Sequence, residues 1–286
     1  MFSKKRVIGL ASAGLFFAIV AITFFQRSQD VRAAFEKVPS AEANAQSQPE
    51  KMKEAYGRLP MSFEVNQGQA DEAVKFISRG HGYQVFLTDA EAVLVLQNTE
   101  CASCKDATPT PNSKLPAPNV LRFKLQNAQL TDEITGSGLL PGKSNYLIGN
   151  DSSRWRTNIP NYSRVEYKDV YPGVGMAFYG TQRALEYDFI VAPGMDPSDI
   201  TVAVEGADKL ELDANGDLIL HVGNQRVYHR APASYQTVGG KQRQISSRYV
   251  LKGGNNIGFE VPSYDKQQAL VIDPVIDFST FFGGIG

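Results

Sequence analysis

Cysteine is nearly missing from this chain. Two occur in 286 residues, Cys101 and Cys104, so no disulfide framework can hold the fold. Tryptophan occurs once, as Trp155, and histidine only at His81, His221 and His229. The histidines are far apart and no HExxH occurs, which leaves no metal site to expect. GxSxG and GxxxxGK[ST] are absent too. The GxG fragments beginning at Gly80, Gly136 and Gly173 lack a third glycine and a βαβ setting, so they read as turns. Charge of one sign is not in excess: the net charge is −1 and the pI near 6.3. That composition argues against a nucleic-acid partner, and nothing calls for a cofactor. Beyond residue 58 no stretch sustains a 3.6-residue period, so no helix is expected there.

What the chain does have is one apolar run and many short alternating segments. Lys4, Lys5 and Arg6 precede residues 7–25, which carry no charge. A cationic start followed by an apolar stretch is the layout of a Sec signal. The run approaches the roughly 20 residues that cross a bilayer as a helix. Residues 1–25 therefore read as an uncleaved signal anchor or a cleaved signal peptide. The Sec translocon is the implied partner in export, with membrane contact through 7–25. The positive-inside rule then sends the rest of the chain outward, either anchored at the inner membrane or released. Residues 26–58, rich in Ala, Gln, Glu and Ser, read as a flexible tether.

From residue 59 the pattern is strand, turn, strand. In RALEYDFIV, Leu185, Tyr187, Phe189 and Val191 alternate with Glu186 and Asp188, the period of a half-buried strand. Leu121, Phe123 and Leu125 alternate with Arg122, Lys124 and Gln126 in the same way, and Val165 and Tyr167 alternate with Arg164, Glu166 and Lys168. Ala92, Val93, Leu94, Val95 and Leu96 read as a strand covered on both faces. Pro, Gly, Asn and Asp punctuate the segments. Residues 98–119 are rich in proline and read as a loop, 135–160 as loop-rich, and Asn215-Gly216 as a type I′ hairpin. The expectation is an all-β domain over 59–272, antiparallel and β-sandwich-like, as one or two packed sandwiches.

Four blocks carry a resemblance: LPMSFEVNQGQAD (59–71), LPGKSNYLIGNDSSRWRTNIPNYSRVEYKDVYPGVGMAFYG (140–180), LEYDFIVAPGMDPSDI (185–200) and LVIDPVIDFSTFFGGIG (270–286). Together they resemble the N-terminal domain of bacterial SBBP-repeat cell-surface proteins. The resemblance implies an exported all-β domain followed by β-propeller-type repeats. It makes 273–286 the opening of a repeat that the chain does not continue. It supplies no catalytic residues.

Cys101 and Cys104 have CxxC spacing without a second pair, and after export a local disulfide is the expected state. Asp213, Asn215 and Asp217 place oxygens at alternate positions, but Leu218 and Asn224 stand where a calcium loop needs Gly and Glu. Glu186 and Asp188 share a strand face about 6.6 Å apart from the strand rise, a spacing open to a glycoside hydrolase or to an ion-paired surface. Trp155, Tyr162 and Tyr179, with Tyr146 and Tyr171 near them in sequence, could stack on sugar rings or pack a core. The leading expectation is a non-enzymatic exported cell-envelope domain with a structural or interaction role, meeting an envelope glycan or protein. A carbohydrate-binding module is the first alternative and a glycoside hydrolase the second.

Overall fold

The computed structural model describes residues 59–80, 82–97, 119–129, 133–223 and 225–277. The run 7–25, the tether 26–58, Cys101, Cys104, His81 and residues 278–286 lie outside the described residues. Within them every pairing between strands is antiparallel, and the helical content is two short 3-10 turns. The expectation of an antiparallel all-β domain is met.

Strands β1 (Phe63–Val65), β2 (Val74–Gly80), β3 (Tyr83–Thr88), β4 (Glu91–Leu96) and β5 (Asn119–Leu125) run as a meander, each paired with the next. β4 buries Ala92, Leu94 and Leu96 and leaves Val93 and Val95 half-covered, so only one of its faces is sealed. β6 (Ile134–Tyr146) and β7 (Arg156–Tyr171) form a long hairpin where a loop-rich segment was expected. β6 has a shift of register between Leu139 and Lys143, around Pro141-Gly142, and its side chains are mostly exposed. Such a strand shows no apolar alternation, because neither face is buried.

β8 (Val174–Thr181) and β9 (Ala184–Val191) follow, and β9 buries Leu185, Tyr187, Phe189 and Val191 as the alternation requires. Then come β10 (Thr201–Glu205), β11 (Lys209–Leu212), β12 (Leu218–Val222), β13 (Gln225–Val238), β14 (Lys241–Ile245), β15 (Arg248–Gly253), β16 (Asn256–Glu260) and β17 (Leu270–Asp277). The β11–β12 hairpin is present, but its turn is not type I′. Of its loop residues only Gly216 has positive φ (+84°), and Asp213 accepts the amides of Asn215 (2.8 Å) and Asp217 (2.9 Å) through Oδ1. The aspartate side chain caps the loop, so Asn215 is not driven into the left-handed region.

The pairings join into one sheet. Its path is β15–β16–β10–β5–β4–β3–β2–β1–β7–β8–β9–β17–β13, with β6 on β7, β12 and β14 on β13, and β11 on β12. The sheet curls until its ends meet without a ladder. Tyr249 of β15 stacks 4.9 Å from His229 of β13 and donates its hydroxyl to the Arg230 carbonyl at 2.9 Å. The core inside this nearly closed sheet holds an aromatic cluster: Tyr187 lies 5.7 Å from Phe178 and from Phe189, and Phe189 meets Phe259 at 5.5 Å. Edge-on and tilted ring contacts of this kind add about 0.5–1.5 kcal/mol each to the burial itself.

Candidate functional site

The three candidate aromatics do not form one site. Tyr162 is half-buried, edge-on to Phe76 at 6.2 Å, and its ring covers Gly136, where any Cβ would lie 2.5 Å from the ring. It packs the margin of the core. Tyr179 faces a polar cluster across β7, β8 and β9. Trp155 stands in the loop that closes the β6–β7 hairpin, 39% exposed.

The cluster around Tyr179 explains what Asp188 does. Glu166, Ala177 and Asp188 are aligned across the three strands. The small Ala177 side chain leaves room between the carboxylates. Arg164 reaches Asp188 Oδ2 with Nη2 (3.1 Å) and Glu166 Oε1 with Nε (3.2 Å). The Tyr179 hydroxyl donates to Asp188 Oδ1 at 2.8 Å, and the Arg164 guanidinium lies 4.8 Å over the Tyr179 ring. Ser137 donates to Glu166 at 2.9 Å. Burial, and then the Asp188 charge, push the Tyr179 phenol far above its ordinary pKa, so it remains a donor. Asp188 is 5% exposed and has a partner on each oxygen. This arrangement neutralises a buried carboxylate.

A second cluster fixes the loop end of the β6–β7 hairpin. Tyr146, the last residue of β6, donates to the buried Glu64 of β1, which also pairs with Arg79 of β2. The Arg79 guanidinium lies 5.3 Å over the Tyr146 ring. Burial first, then the Glu64 hydrogen bond, push the Tyr146 phenol up to about 12. Opposite Tyr146 in register, Arg156 donates from Nε to the Gln67 carbonyl at 2.7 Å. Both strands are thus pinned to the β1–β2 region where they enter the loop.

The loop, residues 147–155, has its own frame. Asp151 caps the 3-10 turn Ser152–Arg154 by accepting the Ser153 amide at 3.0 Å and hydroxyl at 2.6 Å. These bonds hold the Asp151 carboxyl below the usual carboxylate range. The Trp155 indole donates from Nε1 to the Gly149 carbonyl at 3.0 Å. With the indole folded across the loop, Leu147 (58%) and Ile148 (75%) are left exposed beside it.

Asp217 is occupied in another way: it accepts Arg230 Nη1 (2.8 Å) and the Ala231 amide (2.8 Å), while Arg230 Nη2 bonds Asp277 at 2.7 Å. Among the described residues no three His, Cys, Asp or Glu side chains come together as a metal group. Nor is any helix there long and apolar enough to cross a membrane. The sequence reading missed Glu64, Arg79 and Arg164 as organising residues. The one available signal was a charge inside each alternating strand, which reads equally well as a solvated face.

These features define, over the described residues, a curled, single-sheet antiparallel β domain with internally paired charge clusters and a loop, 147–155, that exposes Leu147, Ile148 and Trp155. The chain belongs to the DUF7948 family, described as a domain of unknown function, which matches residues 63–275. No curated protein and no solved structure matches it.

Proposed function

We propose that this chain is an exported, non-enzymatic interaction module of the bacterial cell envelope, held to the membrane through residues 7–25. The observation that carries the reading is the contrast between its polar clusters and its apolar loop. Asp188 is spent on Arg164 and Tyr179, which leaves neither of its oxygens for acid–base work beside Glu186. Exposed apolar side chains gather instead at 147–155, the kind of surface that marks an interaction site. The curled sheet is read here as a sandwich-like scaffold for that loop. The likeness to the N-terminal domain of SBBP-repeat proteins supports a place at the cell surface ahead of a repeat array. The test is the mature N-terminus and fractionation of the protein expressed in a bacterial host. A chain beginning at Met1, in the membrane fraction and cut by protease from outside the cytoplasm, is the expected result. A soluble cytoplasmic chain with Met1 intact overturns the reading.

A second reading, a carbohydrate-binding module, is favoured by the exposure of Trp155 alone, since Tyr162 and Tyr179 are committed elsewhere. Glycan-array binding that disappears in Trp155→Ala supports it, and no binding to any envelope glycan ends it.

A further inference from the structure

We infer that loop 147–155 docks on an anionic lipid surface; this rests on the reading that residues 7–25 hold the domain at a membrane. Leu147, Ile148 and Trp155 share one loop, whereas Leu59, Leu139 (on β6), Met195, Leu212, Val238 and Leu251 are exposed singly on separate elements. Single exposed apolar side chains are ordinary; three within one nine-residue loop are not. Lys143, Arg154 and Arg156, all exposed, flank these side chains in the sequence, and Asp151 is the only carboxylate in residues 143–156. An apolar loop flanked by cations complements anionic lipid headgroups with acyl chains just beneath them.

Size and chemistry separate this occupant from the others. A stable protein partner needs about 800 Å² from each side, far more than a nine-residue loop tip presents. Sugars need polar partners for their hydroxyls; Asp151 and Ser153 are bonded to each other, and Leu147 and Ile148 supply none. An indole next to aliphatic side chains suits the water–hydrocarbon boundary. The clamped base also matters. Tyr146 on Glu64 and Arg79, and Arg156 on Gln67, hold the loop in shape before docking, so little ordering cost is left.

Trp155 is the only tryptophan in the chain, so its fluorescence reports on this loop even when 7–25 is already inserted. The full chain is placed in vesicles of phosphatidylcholine, with or without one third phosphatidylglycerol, and separated by flotation. The expected result is a blue-shifted Trp155 emission, quenched by lipids brominated on their acyl chains, in the anionic vesicles only. High salt should weaken it. Ile148→Glu should abolish the quenching while flotation persists. Arg154→Gln should lower the ratio of docked to undocked loop about fivefold, the effect of one cation near such a surface. A chain that floats while its Trp155 stays accessible to aqueous iodide overturns the docking and leaves the membrane reading intact. A chain that does not float overturns both. An equal shift in neutral vesicles, or one that grows with protein concentration without lipid, overturns the anionic surface in favour of neutral lipid or a second copy.

Discussion

His229 lies wholly within the core, in ring contact with Phe123, Tyr187 and Tyr249, and neither of its nitrogens has a hydrogen-bond partner. Burial drives its pKa from 6.5 down to about 3, with Asp217 opposing weakly. The ring is neutral in the fold and protonated in the unfolded chain at acid pH. The unfolded state therefore binds the extra proton between these values, and stability is full above pH 6.5 and falls as the pH drops toward 3. The shift corresponds to about 5 kcal/mol when fully lost, of which about 2 kcal/mol is gone near pH 5. His229→Phe keeps an aromatic of similar shape and removes both orphaned nitrogens. Urea unfolding should show it more stable than the parent and flatter between about pH 5 and pH 7. An unchanged acid slope would mean that His229 is not the group responsible. Arg164 carries the complementary prediction. Arg164→Leu takes the guanidinium away from the buried Asp188, which keeps the Tyr179 hydroxyl, and should cost about 3 kcal/mol. Adding Asp188→Leu should recover much of that loss, and double-mutant unfolding measures the coupling.

At the scale of the element, legibility followed burial. β5 and β9 could be read from the sequence because one face of each is sealed, and their apolar residues alternate accordingly. The β6–β7 hairpin could not, since β6 is an exposed edge whose register slips around Pro141-Gly142. Bulges, proline and cations are how edge strands avoid pairing with other chains, and the same devices erase the alternating signal. The candidate site was legible only in part. Trp155 was singled out, but its grouping with Tyr162 and Tyr179 rested on nearness in sequence, and strand pairing sends those tyrosines elsewhere. The clusters at Glu64 and Asp188 depend on cross-strand register, which residue spacing within one strand cannot show. Turn glycines divide by a similar rule. Gly206, just past β10, has φ of +87°, and a Cβ there would lie 1.9 Å from the Val120 carbonyl oxygen of β5. Gly239 also has positive φ (+57°) but opens to empty space. Gly239→Ala should cost about 1 kcal/mol from backbone strain alone. Gly206→Ala must also push two strands apart and should lose roughly 3 kcal/mol or more. Thermal unfolding of the pair checks the ranking, and equal losses would refute the clash.

For the whole molecule, the decisive strand is β17. It pairs with β9 along one edge and β13 along the other, so it joins the strands reaching back through β7 to those that close the sheet. Residues 273–277 complete it: Val275 faces Glu186 and Arg230 in register, Ile276 is buried between Leu185 and His229, and Asp277 pairs with Arg230. A domain boundary drawn at 272 would cut through this strand. Shortening the chain to end at Ile272 removes a buried isoleucine, worth about 2–3 kcal/mol by itself. It also strips half of two ladders and leaves Arg230 with Asp217 alone. Against a typical total of about 5–15 kcal/mol, that loss should abolish cooperative unfolding. A chain ending at Asp277 keeps every described pairing and should unfold in a single transition at the midpoint of the parent. Denaturant titrations of the two, followed by circular dichroism and by Trp155 emission, decide the point. If the Ile272 end unfolds as the parent does, the last turn of β17 is an appendage and a repeat could begin inside it. If only the Asp277 end does, Asp277 is needed to complete the sheet, and the domain extends through β17.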